Sequence, residues 1–169
     1  MKMEASKEAP MYVQDVMISP ARSCPPDAPI VEAARTMWDN HCGSLPVLDD
    51  KGEPIGIITD RDICMALARK NRFPATISVR EVMTPYPFIC QPQDTLEEVL
   101  TLMAENRVRR LPVVNAEGHL VGIVSISDVA AALPSGHSVV RGADEVHEMV
   151  ARTLQKISAP NAPGQDAAP

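Results

Sequence analysis

The sequence predicts an α/β protein in which two tandem β-α-β-β-α repeats pack with pseudo-twofold symmetry, followed by a C-terminal helix. The first observation is an internal repeat, because residues 13–67 align without a gap on residues 79–133. A repeat of this length indicates one supersecondary unit present twice, so a functional site is expected to be duplicated too. Identical residues recur at matching positions, among them Met17 and Met83, Cys24 and Cys90, Gly56 and Gly122, and Asp62 and Asp128.

The second observation is that both copies show the same order of hydrophobic patterns. An extended segment comes first, and an amphipathic helix opened by Asp27 or Asp94 follows it. Asp94 with Glu97 three residues later has the spacing of a capping-box variant. Apolar residues in the helix of the second copy recur at the spacing of one helical face: Leu96, Val99, Leu100 and Met103.

A predicted hairpin and a second helix complete each copy. The apolar runs LPVLD and PIGIIT flank a polar turn that ends at Gly52, and LPVVN and LVGIVS flank a turn that ends at Gly118. Such short runs around a polar turn favour antiparallel strands. The second helix is predicted to begin after Thr59 and after Ser125, with the helices on one face of a small sheet.

These patterns divide the chain into six parts. A helix in residues 143–157, with no equivalent in the repeats, has apolar residues at helical spacing and is typical of a helix that covers exposed core. The parts are a flexible N-terminus at 1–11, the first repeat at 12–67, a linker at 68–78, the second repeat at 79–133, a C-terminal amphipathic helix region at 134–157, and a disordered tail at 158–169.

Composition excludes several classes of function. The net charge of −6 and the five aromatic residues argue against a nucleic-acid surface, which needs a basic face and stacking platforms. No apolar run has the length of a membrane helix, and the first residues lack a signal-peptide pattern, so we expect a cytoplasmic protein. The four cysteines form no CxxC pair, and no metal or catalytic constellation is visible, with no metal-ligand spacing among His41, His119, His137 and His147. An enzyme is therefore not expected.

Two matching segments carry the chemistry: Gly56 to Asp62 (GIITDRD) and Gly122 to Asp128 (GIVSISD). A strand entering a helix N-terminus offers free N–H groups that favour a phosphate, and a carboxylate there suits the hydroxyl donors of a ribose. A glycine at such a place leaves room for a ligand or for another backbone. The alternative is that both segments are helix capping boxes, which need no ligand.

The tandem pattern LPV…G-h-h-[ST]-x-x-D, each copy after a segment that ends in Met, resembles the cystathionine β-synthase (CBS) domain pair over residues 13–133. The resemblance implies two clefts that take adenosine-containing ligands: AMP, ADP or ATP, and also NAD or S-adenosylmethionine. The resemblance implies no required cofactor, and the adenine nucleotide is expected to act as a regulatory ligand. By the resemblance, the Asp of the motif is expected to bind the ribose hydroxyls, and its Ser or Thr to lie near the ribose or a phosphate. The segment after the Met is expected to border the adenine.

By this resemblance the second cleft contains Thr84, Ile89, Ser125 and Asp128. Arg109 and Arg110, directly before the second LPV, are expected to reach phosphates across the pseudo-twofold, where the first copy has Gly43 and Ser44 instead. The first cleft is therefore expected to bind anionic nucleotides better. It is assigned Ile18, Ser23, Thr59, Arg61, Asp62, Arg109 and Arg110.

The resemblance implies a non-catalytic regulatory module that senses an adenylate and signals through shape or assembly. The alternative is a dimerising adaptor with vestigial clefts, acting through the helix at 143–157. We expect a homodimer built from the helical faces of the repeats, because adjacent apolar residues such as Met37 and Trp38 cannot both be buried on one face. The other possibility is that the terminal helix folds back over that patch and keeps the chain monomeric.

Overall fold

The computed structural model describes residues 11–133 and 143–159. The expectations for the flexible N-terminus and the disordered tail fall almost wholly outside these residues, as does His137. Three 3-10 turns cover Val13–Asp15, Pro74–Thr76 and Val79–Glu81. The helices and strands are α1 (Ile30–Asp39), β1 (Ser44–Leu48), β2 (Pro54–Thr59), α2 (Asp60–Lys70), β3 (Thr84–Pro85), α3 (Leu96–Asn106), β4 (Arg110–Val114), β5 (Leu120–Ser125), α4 (Ile126–Ala132) and α5 (Ala143–Ser158).

The mixed α/β class and the tandem repeat are confirmed, and the chain forms two compact units. The α1 unit consists of residues 18–92 and 111–123, and the α3 unit contains residues 11–17, 93–110 and the described residues from 124 onward. Neither unit coincides with one repeat. The division follows from the pairing of the segments that precede each repeat.

The α1 unit is built around a three-stranded antiparallel sheet in the order β1-β2-β3. Ser44 pairs with Thr59 and Leu45 with Ile58, so the inward-facing side chains of both strands reach one core. Alternation along β2 buries Gly56 and Ile58 and leaves the intervening residues partly exposed, as expected for a strand with one buried face. Helices α1 and α2 contribute Ile30, Ala33, Met37, Ile63 and Ala66 to this core.

The leading segments of the two repeats are exchanged. Ile18, before the first repeat's helix, exchanges backbone hydrogen bonds with Ile123 of β5, at 2.9 and 3.0 Å. Thr84, its equivalent in the second repeat, pairs with Ile57 of β2. Each leading segment therefore adds to the sheet of the other repeat, a connection that the sequence patterns did not predict.

The α3 unit contains the second amphipathic helix and the terminal helix. The expected cap at Asp94 and Glu97 is one residue too early, because α3 begins after Thr95, whose hydroxyl accepts from Glu98 N–H. The first repeat lacks this box, since α1 begins at Ile30 after Pro29 and not after Asp27. The start of α3 follows from the Thr95 hydroxyl, which accepts from the third residue of the helix, whereas α1 has no side-chain cap.

Helix α5 packs on α3 within this unit. Its inward face buries Val150 and Thr153, and the Thr153 hydroxyl donates to the carbonyl oxygen of Leu100 at 3.3 Å. The terminal helix thus lies against the amphipathic helix of the second repeat, and Leu100 is fully buried.

Candidate functional site

Both matching segments form complete capping boxes. Thr59 N–H donates to Asp62 Oδ2 at 2.9 Å, and Asp62 N–H donates to Thr59 Oγ1 at 3.1 Å. In the second repeat the corresponding distances are 2.8 Å from Ser125 N–H to Asp128 Oδ2 and 3.2 Å in the reverse direction. The strand-to-helix junctions of α2 and α4 therefore have the same local structure.

The cap hydroxyl has a defined hydrogen-bond role. Thr59 Oγ1 lies 2.7 Å from Asp62 Oδ2, and Ser125 Oγ lies 2.7 Å from Asp128 Oδ2. An ionised carboxylate only accepts, so the hydroxyl proton is donated to it and is not directed at a phosphate. The second carboxylate oxygen, Oδ1 of Asp62 and of Asp128, has no hydrogen-bond partner among the described residues. Each half-buried aspartate can therefore still accept from a ligand hydroxyl.

Gly56 is explained by a neighbouring backbone. A Cβ at this position would lie 2.5 Å from the Met83 sulfur and 3.1 Å from the Thr84 carbonyl oxygen. These distances are shorter than van der Waals contact, so a side chain would force the Met83 side chain to move and would press on the β3 backbone at Thr84. Of the two sequence-based explanations, the close approach of another backbone accounts for this glycine.

Four residues were expected to border the adenine: Ile18, Ser23, Thr84 and Ile89. Strand pairing assigns Ile18 and Thr84 to different motifs from those expected from the sequence. Thr84 of β3 pairs with Ile57, two residues before Thr59, so it lies beside the strand that leads to Asp62. Ile18 pairs with Ile123, two residues before Ser125 on β5. The sequence analysis had placed Ile18 with Asp62 and Thr84 with Asp128. The exchange of leading segments reverses that grouping.

The other two residues expected to border the adenine, Ser23 and Ile89, directly precede the buried cysteines Cys24 and Cys90. Cys24 bridges Val47 of β1, and Cys90 bridges Val113 of β4, both in parallel. Ser23 is therefore next to the strand β1 of its own repeat, and Ile89 is next to β4 of its own repeat. The segments from Ile18 to Cys24 and from Thr84 to Cys90 each connect the sheets of both repeats.

The backbone of Arg109 lies beside the second motif. Ile126 N–H donates to the Arg109 carbonyl oxygen at 3.1 Å, and Asp60 N–H makes the equivalent bond to Gly43 at 3.2 Å. Arg109 and Arg110 thus flank α4 in the α3 unit, where Gly43 and Ser44 flank α2. Arg61 is exposed on the first turn of α2.

A cavity of about 240 Å³ borders Asp62 in the α1 unit, lined also by Met65, Arg69, Lys70, Glu81 and Val82. Glu81 accepts from Arg72 at 2.7 Å and from Lys70 at 3.3 Å. The Ser78 N–H bond, together with these two cations, lowers the pKa of Glu81 to about 2. Arg69 follows Asp62 by two turns of α2, a helical spacing that the sequence could have shown. Glu81 was not predictable, because only the exchange of leading segments places residues 81 and 82 beside α2.

Metal-ligand clusters and membrane-spanning helices were both sought in the described part of the chain. Among residues 11–133 and 143–159, no group of three or more His, Cys, Asp or Glu side chains is placed to hold a metal ion. Within the same ranges, no helix combines the length and apolar character needed to cross a bilayer. Burial raises the pKa of the Cys24 thiol to about 11, so this cysteine is a core residue and not a reactive one.

Three known proteins illustrate what the chain is similar to. The CBS domain-containing protein YhcV of Bacillus subtilis is 36% identical over 118 residues, which is 70% of this chain and 82% of that protein. The CBS domain pair of protein MJ0100, solved in complex with 5′-methylthioadenosine and S-adenosyl-L-methionine, matches with a TM-score of 0.67 and 27% identity over 73% of this chain and 95% of that one. CBSX2 of Arabidopsis thaliana in complex with AMP matches with a TM-score of 0.62 and 28% identity over 72% of this chain and 95% of that one.

Family membership follows from the coverage of both repeats. The chain spans 53% to 82% of the length of four curated relatives with which it shares 33% to 36% identity. The family model described as CBS domain matches twice, over residues 13–69 and 79–135. The chain therefore belongs to the CBS domain family, as a tandem pair.

Proposed function

We propose that this protein is a non-catalytic regulatory module that binds an adenosine-containing ligand of the AMP, ADP or ATP class. The observation that carries the proposal is the duplicated aspartate, whose Oδ2 is fixed by the cap while Oδ1 is left without a partner among the described residues. A carboxylate held in this way is pre-oriented to accept from ribose hydroxyls. Complexes of two similar CBS pairs with adenosine derivatives support the same class, including S-adenosylmethionine.

For the first motif, we assign Asp62 to the ribose hydroxyls. Thr59 fixes the carboxylate, and Thr84 borders the adenine from the neighbouring strand. Ile89, on the same segment as Thr84, contributes an exposed apolar side chain, and Arg61 contributes a positive charge. We call these residues the β2 set, because all of them are reached from β2 or its neighbour β3.

For the second motif, we assign Asp128 and Ser125 the same roles. Arg109 and Arg110 supply positive charge beside this motif. We call these residues the β5 set. Because it contains two arginines where the first repeat has Gly43 and Ser44, the β5 set is assigned the ligand with more phosphate charge.

A dimerising adaptor with vestigial clefts is the second candidate. The observation that favours it is that both capping boxes are complete without any ligand, so the motif has a structural role of its own. Under either function we propose a homodimer that acts on a further protein, with occupancy signalled through conformation or assembly.

The deciding experiment is calorimetric titration with AMP, ADP, ATP, NAD and S-adenosylmethionine. Wild-type protein is expected to bind at least one of them, and Asp62→Ala with Asp128→Ala together are expected to abolish binding. Glu98→Ala is the matched control, because Glu98 makes the same cap with Thr95 at 2.8 Å in a helix assigned no ligand. If no ligand binds, or if the double aspartate variant and Glu98→Ala both lose stability while affinity is unchanged, the adaptor function is favoured.

A further inference from the structure

The four cysteines of the chain fall into two groups. Two are buried at matching positions of the repeats, whereas Cys42 is half-buried and Cys64 is exposed. The residues that match Cys42 and Cys64 in the second repeat are Val108 and Ala130. The repeated fold therefore does not require a thiol at either position, and both of these thiols occur in the first repeat.

Cys42 and Cys64 line the same groove, which lies between α1 and α2 in the α1 unit. The groove has a volume of about 490 Å³. Helix α2 contributes residues that share one helical face to its wall: Asp60, Ile63, Cys64 and Leu67. Cys42 lines the same space from the connection that follows α1. The two cysteines therefore border a common cavity, although they are far apart in the sequence.

Backbone hydrogen bonds hold the segment of Cys42 beside the start of α2. Cys42 N–H donates to the Met37 carbonyl oxygen at 3.0 Å, which folds the chain back at the end of α1. The next residue, Gly43, accepts from the N–H of Asp60, the first residue of α2, at 3.2 Å. Cys64 is one turn further along α2, a rise of about 6 Å. The two cysteines are therefore about one helical turn apart along the groove.

The connection that contains Cys42 can make the approach that a disulfide needs. A disulfide requires Cα atoms roughly 4.4–6.8 Å apart. Cys64 is held within α2, whereas Cys42 lies in residues 40–43, between the end of α1 and the start of β1. This connection contains Gly43, and His41 has a φ of +51°, which is uncommon for a residue with a side chain. Closure therefore requires a shift of a short connection and not of a helix or strand.

We propose that Cys42 and Cys64 are a peroxide-sensitive thiol pair that closes to an intramolecular disulfide. The Cys64 thiolate attacks one oxygen of hydrogen peroxide and the O–O bond breaks, which gives a sulfenic acid and a hydroxide that takes up the thiol proton as water. The Cys42 sulfur then attacks the sulfenic sulfur, the S–O bond breaks and a second water leaves with the Cys42 proton. Two thiols lose two electrons in total, and one peroxide is reduced to two waters.

Exposure assigns the order of these two steps. Cys64 is exposed, so peroxide reaches it first, and the half-buried Cys42 beside it resolves the sulfenic acid. Cys24 and Cys90 are buried within the sheets that they bridge, at Val47 and Val113. The fold therefore separates one accessible pair from two thiols that peroxide does not reach.

The test is treatment of the reduced full chain with hydrogen peroxide, followed by alkylation of the remaining thiols, trypsin digestion and mass spectrometry. The protein is kept dilute, so that assembly does not shield the groove. Each cysteine lies in a different tryptic peptide, with Cys42 in residues 36–51 and Cys64 in residues 62–69. A bridge between these two peptides within one chain is expected, with the other two thiols alkylated. The absence of a bridge, a bridge between other cysteines, or a bridge between two chains would overturn the proposal.

The same treatment of the chain unfolded in guanidinium is the matched control. In the unfolded chain the loops 24–42, 42–64 and 64–90 are similar in length and have similar closure entropies. A mixture of bridges is therefore expected after unfolding, in contrast to the single bridge of the folded chain. If the unfolded chain formed only the bridge from Cys42 to Cys64, the groove would not be its cause, and the proposal would be wrong.

Two serine variants test the order of the steps. Cys42→Ser removes the resolving thiol, so peroxide is expected to leave a sulfenic acid at Cys64 that a dione probe labels. Cys64→Ser removes the attacked thiol, so loss of both the bridge and the label is expected. Label at Cys42 in the Cys64→Ser variant, with none at Cys64 in the Cys42→Ser variant, would overturn the assignment of Cys64 as the attacked thiol. Neither cysteine belongs to a ligand set, so this result is independent of nucleotide binding.

Discussion

The two strand-to-helix junctions share one geometry and differ in their surroundings. The hydrogen bonds of Thr59 with Asp62 agree within about 0.1 Å with those of Ser125 with Asp128. In contrast, Thr59 is followed by the charged pair Asp60 and Arg61, whereas Ser125 is followed by Ile126 and Ser127. In the second repeat, Arg109 and Arg110 also directly precede Leu111 of β4. The duplicated backbone therefore repeats the same carboxylate geometry in both copies, and under the proposed function the surrounding charges are expected to set which ligand each copy prefers.

The largest expected effect is loss of ligand on removing one aspartate. A carboxylate that accepts from a ribose hydroxyl contributes roughly 1.5–3 kcal/mol per charge-assisted bond. Asp62→Ala is therefore expected to weaken binding in the first site by about tenfold or more, with about 1 kcal/mol lost from the cap. Asp128→Ala is expected to do the same for the second site. Calorimetry on each variant checks whether one of two binding events disappears, and the loss of both together would show that the sites are not independent.

The next effect concerns Gly56. Gly56→Ala is expected to destabilise the fold by roughly 1–3 kcal/mol, because its Cβ would overlap the Met83 sulfur and press on the Thr84 carbonyl. Chemical denaturation measures this loss, and adenosine affinity is expected to fall with it because β3 borders the first site.

Gly52→Ala is the control, since Gly52 has open space around it and a φ of +83°. Its cost is expected to be about 1–2 kcal/mol from the left-handed backbone alone, with adenosine affinity unchanged. If Gly56→Ala left adenosine affinity at the wild-type value, β3 would not border the ligand.

A smaller and more selective effect is expected for Arg109→Ala with Arg110→Ala. AMP affinity should fall several-fold at low salt, where screening is weak, and adenosine affinity should stay nearly unchanged. The effect of the double arginine substitution on AMP affinity is measured once in the Asp62→Ala background and once in the Asp128→Ala background. We expect the AMP effect only where Asp128 is intact. An effect only where Asp62 is intact would restore the assignment made from sequence.

The smallest effect is a pH-dependent one at Glu81. The Ser78 N–H and the neighbouring Arg72 and Lys70 hold the pKa of Glu81 at about 2, below its ordinary value of 4.5. The carboxylate therefore stabilises the fold above pH 4.5, and this contribution is lost as pH falls toward 2. Glu81→Gln is therefore expected to be slightly less stable than wild type at neutral pH, with the difference closing between pH 4.5 and 2.

Asp15→Asn is the matched control, because Asp15 holds the equivalent cap on Tyr12 without an ion pair among the described residues. Thermal unfolding across this pH range is the measurement. An equal, pH-independent loss of stability in both variants would show that Lys70 and Arg72 do not stabilise the ionised Glu81.

Local rules predicted the features that depend on neighbouring residues. The spacing of Leu96, Val99 and Leu100 gave α3, and the Thr59-x-x-Asp62 pattern gave the capping box, because both act within a few residues. The exact start of α3 was missed because Asp94 and Thr95 are both good caps, and only the backbone decides which one accepts from the third helical residue.

Long-range connections were beyond the sequence patterns. The segment at Ile18 has the same apolar character whether it pairs with β2 or with β5, so periodicity cannot assign its partner strand. The grouping of Ile18 and Thr84 with the two motifs depended on that choice.

The exchange of leading segments has a consequence for how such a chain could arise. A single repeat leaves its leading strand without a place on its own sheet, and leaves an edge beside β2 or β5 for a strand from elsewhere. An ancestor with one repeat would therefore complete its sheet only by exchanging leading strands with a second copy of itself. Duplication and fusion place both leading segments in one polypeptide. Pairing of each segment with the other repeat then becomes intramolecular and no longer depends on protein concentration. Cutting the chain at residues 71–73, between α2 and the 3-10 turn at Pro74–Thr76, should return that dependence on concentration.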